Sequence, residues 1–377
     1  VTDLALLLAQ LVSLAVVATV VWTTVRIGDG FSRAETTSGS DEPAETDETV
    51  ETDDPQRPKV AVVVNPTKFD DDTEVERHLR GLADEHGWEL LWWRTTADDT
   101  GTGQTREAVE AGVDLVCALG GDGTVRAVAA ELRNSDVPMG LLPGGTGNLL
   151  ARNLGLPYDS LDDSFRIALT GVDRAIDVGV LSIVPRDTQE EPKDYHFLVM
   201  AGLGFDASVM AEAPEQLKSR IGWGAYVVSG VRQLYGNRFE AEVTFDGGKT
   251  VHRKVRSIII GNVGRLQGGV ELLPDAAVDD GCLDVVLLSP RGVMGWAAVI
   301  VRILTKTRRG HRRVEHFQCQ EMTVDLAGHH VEQVQLDGDP IGPAHALTAK
   351  VLPNALVLRL PQPAPQPAHH GATGHRP

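Results

Sequence analysis

Between Lys59 and Gly155 the chain alternates apolar, strand-like runs with amphipathic helical stretches, and two of those runs end in clusters of glycine. The runs are Lys59–Val64, Trp88–Thr95, Asp114–Leu119 and Pro138–Leu142. The first, KVAVVV, is continuous and β-branched, as suits a strand buried on both faces. Between the runs lie helical patterns at Asp71–Gly87, Thr105–Ala111 and Val125–Arg133, the first with Val75, Leu79 and Leu82 on one stripe. Such alternation predicts right-handed crossovers around a parallel sheet in a three-layer α/β domain. Ligands of these sheets bind at the carboxyl ends of the strands.

Those strand ends are where the glycines fall. The third run enters Gly120-Gly121-Asp122-Gly123-Thr124 and a helix begins at once. Adjacent glycines let a phosphate approach the backbone, and the helix start offers free N–H groups and a positive dipole end. The loop matches neither the GxGxxG dinucleotide pattern nor a Walker A loop. The fourth run ends in Pro143-Gly144-Gly145-Thr146-Gly147-Asn148 before a second helix, LLARNLG. Thr146 suits either a helix cap or a phosphate contact. Either loop alone also reads as a tight turn; two on one sheet edge favour phosphate. Asp122→Ala is expected to abolish the loop's function with little loss of stability, because the loop lies at a strand end.

From Arg174 onward the pattern changes to short strands: Ile176–Val184, His196–Ala201, Phe239–Phe245, Val251–Asn262, Leu283–Leu288, Met322–Leu326, Val331–Leu336 and Leu347–Leu358. They predict an antiparallel β-sandwich as a second domain. Cys117, Cys282 and Cys319 form neither a disulfide scaffold nor a short metal-ligand pair. The net charge of −18 excludes a general nucleic-acid binder, although nine acidic residues between Glu35 and Asp54 carry half of it.

Leu4–Val25 is an uncharged run of 22 residues. As a helix it is roughly 33 Å long, enough to cross a bilayer. A cleaved signal peptide would need basic residues before it, yet only Asp3 stands there; a buried helix is the other alternative. Arg26 and Arg33 follow the run, so the positive-inside rule predicts a single-pass membrane protein with the domains after the run in the cytoplasm. Residues 28–57 read as a disordered acidic tether and residues 361–377 as a disordered tail.

GGDGTVRAVAAEL followed by PGGTGNLLARNLGLP resembles the diacylglycerol kinase catalytic domain family, which includes YegS-like, sphingosine and ceramide kinases. The resemblance runs from Lys59 to about Leu360. The apolar run and the acidic stretch mark an N-terminal helix over 1–27 and the tether over 28–57; the resemblance implies an ATP-binding domain over 58–172 and a lipid-substrate domain over 173–360, whose last strand may return to the first domain. It implies ATP contacts at Asn65, Pro66, Thr67, Lys68, Thr96, Gly120, Gly121, Asp122, Gly123, Thr124, Gly145 and Thr146. Asn65-Pro66-Thr67-Lys68 lacks the glycine usual in that family, and Lys68 offers a cation instead.

Leu273–Asp284 resembles an acidic turn that holds Mg²⁺, with Asp280 as carboxylate ligand and the backbone oxygens of Ala277 and Cys282 beside it. Asp337-Gly338-Asp339 resembles the family's late acidic motif, with Asp339 in place of the usual glutamate. Asp339 and Asp122 then compete to be the proton acceptor. Met200–Ala207 resembles a glycine turn with Asp206, and Arg291–Arg313 reads as a membrane-interface helix or a core helix with a basic end.

The implied activity is transfer of the ATP γ-phosphoryl group to diacylglycerol, with ATP, Mg²⁺ and a lipid in the membrane as partners. A kinase of another lipid alcohol and a non-catalytic lipid or nucleotide sensor stay open, as does a homodimer.

Overall fold

The computed structural model describes residues 57–184, 192–204, 238–265, 271–290, 295, 314–328 and 330–362. The run Leu4–Val25, the tether as far as Gln56, Asp206, the segment Arg291–Arg313 apart from Gly295, and the tail from 363 lie outside them.

Four parallel strands, β1 (Lys59–Val64), β2 (Glu89–Arg94), β3 (Leu115–Gly120) and β4 (Met139–Pro143), stand in the order β2-β1-β3-β4. The helices are α1 (Asp72–Glu85), α2 (Thr102–Glu110), α3 (Asp122–Leu132), α4 (Leu149–Asn153) and α5 (Leu161–Thr170). Alternate side chains of β1 serve opposite faces, as the two-residue strand period requires. Val60, Val62 and Val64 pack with Leu79, Leu82 and Phe165, while Ala61 and Val63 pack with Val128 and Leu132. Each such buried Val contributes roughly 1.5–3 kcal/mol. α1 starts where Asp71 accepts from the N–H groups of Thr73 and Glu74.

The remaining strands are β5 (Val172–Val184), β6 (Lys193–Phe197), β7 (Met200–Gly204), β8 (Phe239–Phe245), β9 (Lys249–Val255) and β10 (Ser257–Gly261). They continue as β11 (Leu283–Leu288), β12 (Val314–Cys319), β13 (Glu321–Leu326), β14 (Glu332–Leu336), β15 (Asp339–Ala344) and β16 (Ala346–Leu360). The expectation of a purely parallel first sheet is corrected here. β16 lies parallel to β4 through Leu358 and Met139, but antiparallel to β5 and β13. The first sheet is therefore mixed and has ten strands. The reason is length: β5 has 13 residues and β16 has 15, so one antiparallel ribbon serves both domains.

A second, six-stranded antiparallel sheet runs β12-β11-β10-β7-β14-β15. Val243, Ala349 and Val351 of the first sheet face Leu203, Ile258, Val285 and Val334 of the second, closing the sandwich. The opposite face of the second sheet gives Met200, Ile259 and Val286 to the cluster that holds Val128 and Leu150. The two domains thus share a core.

The expectation of a single-pass membrane protein with a cytoplasmic catalytic domain is also corrected. Among the described residues no helix is long and apolar enough to cross a membrane.

Candidate active site

The parallel register brings the loops together. Val64 pairs with Leu119 and Gly120 with Pro143, so the segments after β1, β3 and β4 leave one sheet edge side by side. After β1, Asn65 donates its N–H to the Leu119 carbonyl, and its side chain accepts from the N–H and hydroxyl of Thr67. That Asn turn starts a single 3₁₀ turn, Pro66–Lys68. It carries the exposed Lys68 over the glycines: a Cβ at Gly121 would lie 4.0 Å from Lys68 Cε and 3.7 Å from Gly145 Cα.

Gly121 caps α3 without a side-chain bond, leaving the first N–H groups of that helix without an intrahelical partner. The two glycine loops touch backbone to backbone. A Cβ at Gly145 would come within 2.6 Å of Gly121 Cα, so only glycine permits this approach. Asn148, left-handed at φ 47°, closes its own loop by accepting from the Gly145 N–H and donating to the Gly145 carbonyl. Thr146 is exposed at the tip. Thr96 stands beyond β2 in a turn closed with Asp99, whose N–H its hydroxyl accepts.

Asp122 is not a free loop residue. Its Oδ1 accepts from the Leu149 N–H at 2.7 Å, capping α4, and a side chain at Gly147 would collide with its Oδ2. Burial raises its pKa, against the bonds from Leu149 and Asn148, and the nearby Asp339 charge adds to the rise. The cap revises the expectation that Asp122→Ala costs little stability.

The second domain supplies Asp339. A Cβ at Gly123 would lie 3.5 Å from Asp339 Oδ2, which places that carboxylate over the first turn of α3. Arg126, on the same helix, donates to Asp339 Oδ2 at 2.8 Å and to the Leu336 carbonyl at 3.0 Å. The turn between β14 and β15 is held from inside by Asp337, which accepts from the N–H groups of Leu198, Val199 and Met200. Burial pushes the Asp337 carboxyl up to about 6, opposed by Arg126 and those N–H groups.

Asn65 to Lys68, Gly120 to Thr124, Gly145, Thr146 and Asp339 therefore belong to one neighbourhood. Asp280, Ala277 and Cys282 belong to the turn before β11. There Asp280 accepts from the Cys282 N–H and from Gln318, while Asp177, fully buried, accepts from the N–H groups of Gly281 and Asn354. Burial first, then the charges of Asp177 and Asp279, raise the Asp280 carboxyl. Among the described residues no cluster of three or more His, Cys, Asp or Glu is placed to hold a metal ion. Arg126 and Asp177 escape the sequence reading. Arg126 lies one helical turn past Asp122, and that spacing is the signal that points to it.

The geometry joins an α/β domain with two opposed glycine loops at one sheet edge to a sandwich that places a carboxylate over the first of them. Residues 59–181 match the diacylglycerol kinase catalytic domain, and residues 199–360 match the YegS C-terminal NAD kinase beta sandwich-like domain. A probable lipid kinase YegS-like protein of Chromohalobacter salexigens is 30% identical over 292 residues, covering 76% of this chain and 88% of that one. Another, from an Enterobacter species, is 29% identical over 265 residues, 69% of this chain and 82% of its own. In fold, a putative diacylglycerol kinase from Bacillus anthracis superposes with a TM-score of 0.63 at 20% identity, over 84% of this chain and 99% of that one. The chain belongs to the YegS-like lipid kinases, and its enzyme class is lipid kinase.

Proposed function

We propose that the enzyme moves the γ-phosphoryl group of ATP to the hydroxyl of diacylglycerol or a closely similar lipid, giving phosphatidate and ADP. The observation that carries this reading is the position of Asp339, brought by the second domain over the first turn of α3. Phosphoryl transfer depends on positioning and charge neutralisation more than on covalent catalysis. The α3 N–H groups and Lys68 receive the phosphates, where the opposed glycines leave the backbone open. Asp339 accepts the lipid hydroxyl proton; the oxygen then bonds to the γ-phosphorus as its bond to the β-phosphate oxygen breaks.

Asp122 in the first glycine loop and Asp280 beside the backbone oxygens of its own turn offer hard oxygen donors of the kind Mg²⁺ takes, as single carboxylates and not, among the described residues, as a cluster. Mg²⁺ would neutralise phosphate charge beside Asp122, and a second ion would be held by Asp280 with the backbone oxygens of Ala277 and Cys282.

The test is incubation of the protein with γ-labelled ATP and diacylglycerol, a sphingoid base, phosphatidylglycerol and a polyprenol, each in detergent micelles. Labelled phosphatidate is the expected product. Label in a different lipid would move the acceptor, and label in none would overturn the reading.

A further inference from the structure

We propose that Arg126 is the positioning residue for Asp339, locking the carboxylate of the second domain to the phosphate-loop helix of the first. The inference rests on the reading of Asp339 as proton acceptor. Asp339 alone is poorly placed to hold one orientation: its side chain is 56% exposed, at the start of β15. A solvated carboxylate on a turn samples several rotamers, and fixing it costs entropy.

Arg126 supplies the constraint. Its side chain is only 20% exposed, and Nη1 and Nη2 take different acceptors on the same turn. Nη1 bonds the Leu336 carbonyl at 3.0 Å and Nη2 bonds Asp339 Oδ2 at 2.8 Å. Because the guanidinium is planar and rigid, the first bond fixes the direction of the second. The turn is itself anchored, since Asp337 accepts three backbone N–H groups and lies 3.9 Å from Arg126 Nη1. With Oδ2 on the guanidinium, Oδ1 is the oxygen left to meet the lipid hydroxyl.

An ion pair with one carboxylate largely in solvent contributes little to stability. Its consequence lies in geometry, where a displacement of about 1 Å costs on the order of 10²-fold in rate.

The experiment measures kcat and KM for ATP and for lipid in Arg126→Gln, Arg126→Lys, Asp339→Asn and the double variant Arg126→Gln with Asp339→Asn, alongside thermal unfolding. Arg126→Gln is expected to lower kcat about 10–100-fold while KM for ATP stays within about threefold. In the Asp339→Asn background the same change is expected to cost less than about threefold more, because the two residues act as one unit. Arg126→Lys keeps the charge, and so covers the case in which the Gln variant fails to fold. It reaches one acceptor at a time and is expected to lose at least about fivefold in kcat. Wild-type turnover in Arg126→Lys, or a full further loss in the double variant, would overturn the proposal. Slow Asp339→Asn with normal Arg126→Gln would sink the positioning role alone. Normal turnover in Asp339→Asn would sink the proton-acceptor reading, and the positioning role with it.

Discussion

The loops after β3 and β4 have nearly the same composition and the same place between strand and helix, yet they do different work. Gly120–Thr124 opens an 11-residue helix with no side chain capping its first N–H groups. Pro143–Asn148 opens a helix of five residues whose start is already occupied by Asp122 of the other loop. The second loop also closes on itself, because Asn148 takes both the N–H and the carbonyl of Gly145. One loop leaves the first N–H groups of its helix without an intrahelical partner, and the other spends its donors on becoming a wall. Glycine serves the first as an opening and the second as a close fit. Asp122 belongs to both, and variants there separate the two roles.

The largest effect is expected at that residue. Asp122→Asn keeps an oxygen to cap α4 but removes the charge, so turnover should fall on the order of 10²–10³-fold with the fold nearly as stable. Asp122→Ala should lose the same turnover and also about 1–2 kcal/mol, because the Leu149 N–H is left without its acceptor. Kinetics with urea unfolding of both variants checks this. Equal stability of the two would mean that the cap contributes nothing, and that the second loop stands without the first.

A smaller, opposite contrast is expected at the facing glycines. Gly145→Ala sets a methyl against the Gly121 backbone and should destabilise by about 1–3 kcal/mol. Gly121→Ala meets only ordinary contacts at 3.7 Å and 4.0 Å, so it should fold normally and weaken ATP binding by filling the space in front of α3. Calorimetric ATP titration and thermal unfolding separate the two. Undiminished ATP affinity in the Gly121 variant would remove the phosphate role from the first loop.

Much of this arrangement is legible in the sequence, and the limits have physical causes. Continuous apolar runs such as Lys59–Val64 mark buried parallel strands, and the glycines stand where the chain must pass close to itself. The antiparallel half is harder to read. Val251–Asn262 reads as one strand but folds as β9 and β10 in different sheets: the half-exposed, charged His252–Lys254 stretch gives way after Arg256 to the buried Ile258–Ile260, and β-branched residues on both sides of the corner hide it. β15 is unreadable: Asp339-Pro340-Ile341-Gly342-Pro343 has a bulge and two prolines, which suits only an edge strand. At the site, local motifs expose the loops, whereas Arg126 and Asp177 act through partners more than 100 positions away in the chain.

The third wall of the site gives the smallest effect and a different kind of test. The glycine loops are held by the Gly144 N–H to Gly120 carbonyl bond and by the Asn148 and Asp122 side chains, whereas the β14–β15 turn is held by the buried carboxyl of Asp337. Its folded pKa is raised, from 3.8 to about 6, chiefly by burial. The folded state therefore holds this proton more tightly than the unfolded chain does. The resulting stability is fully present below the unfolded value and is lost as pH rises through about 6. Between pH 5 and pH 6.5 the loss is about 1 kcal/mol from this group. Asp284, also raised to about 6 by burial and by Asp280, adds a slope of the same sign. Asp337→Asn keeps an acceptor for the N–H groups and cannot ionise, so it should flatten the wild-type slope by about 1 kcal/mol over that window and leave the Asp284 share. Urea unfolding at several pH values in both proteins measures the difference. Identical slopes would mean that Asp337 keeps its charge in the fold, held by Arg126 and the three N–H groups, so that this wall does not titrate in that window.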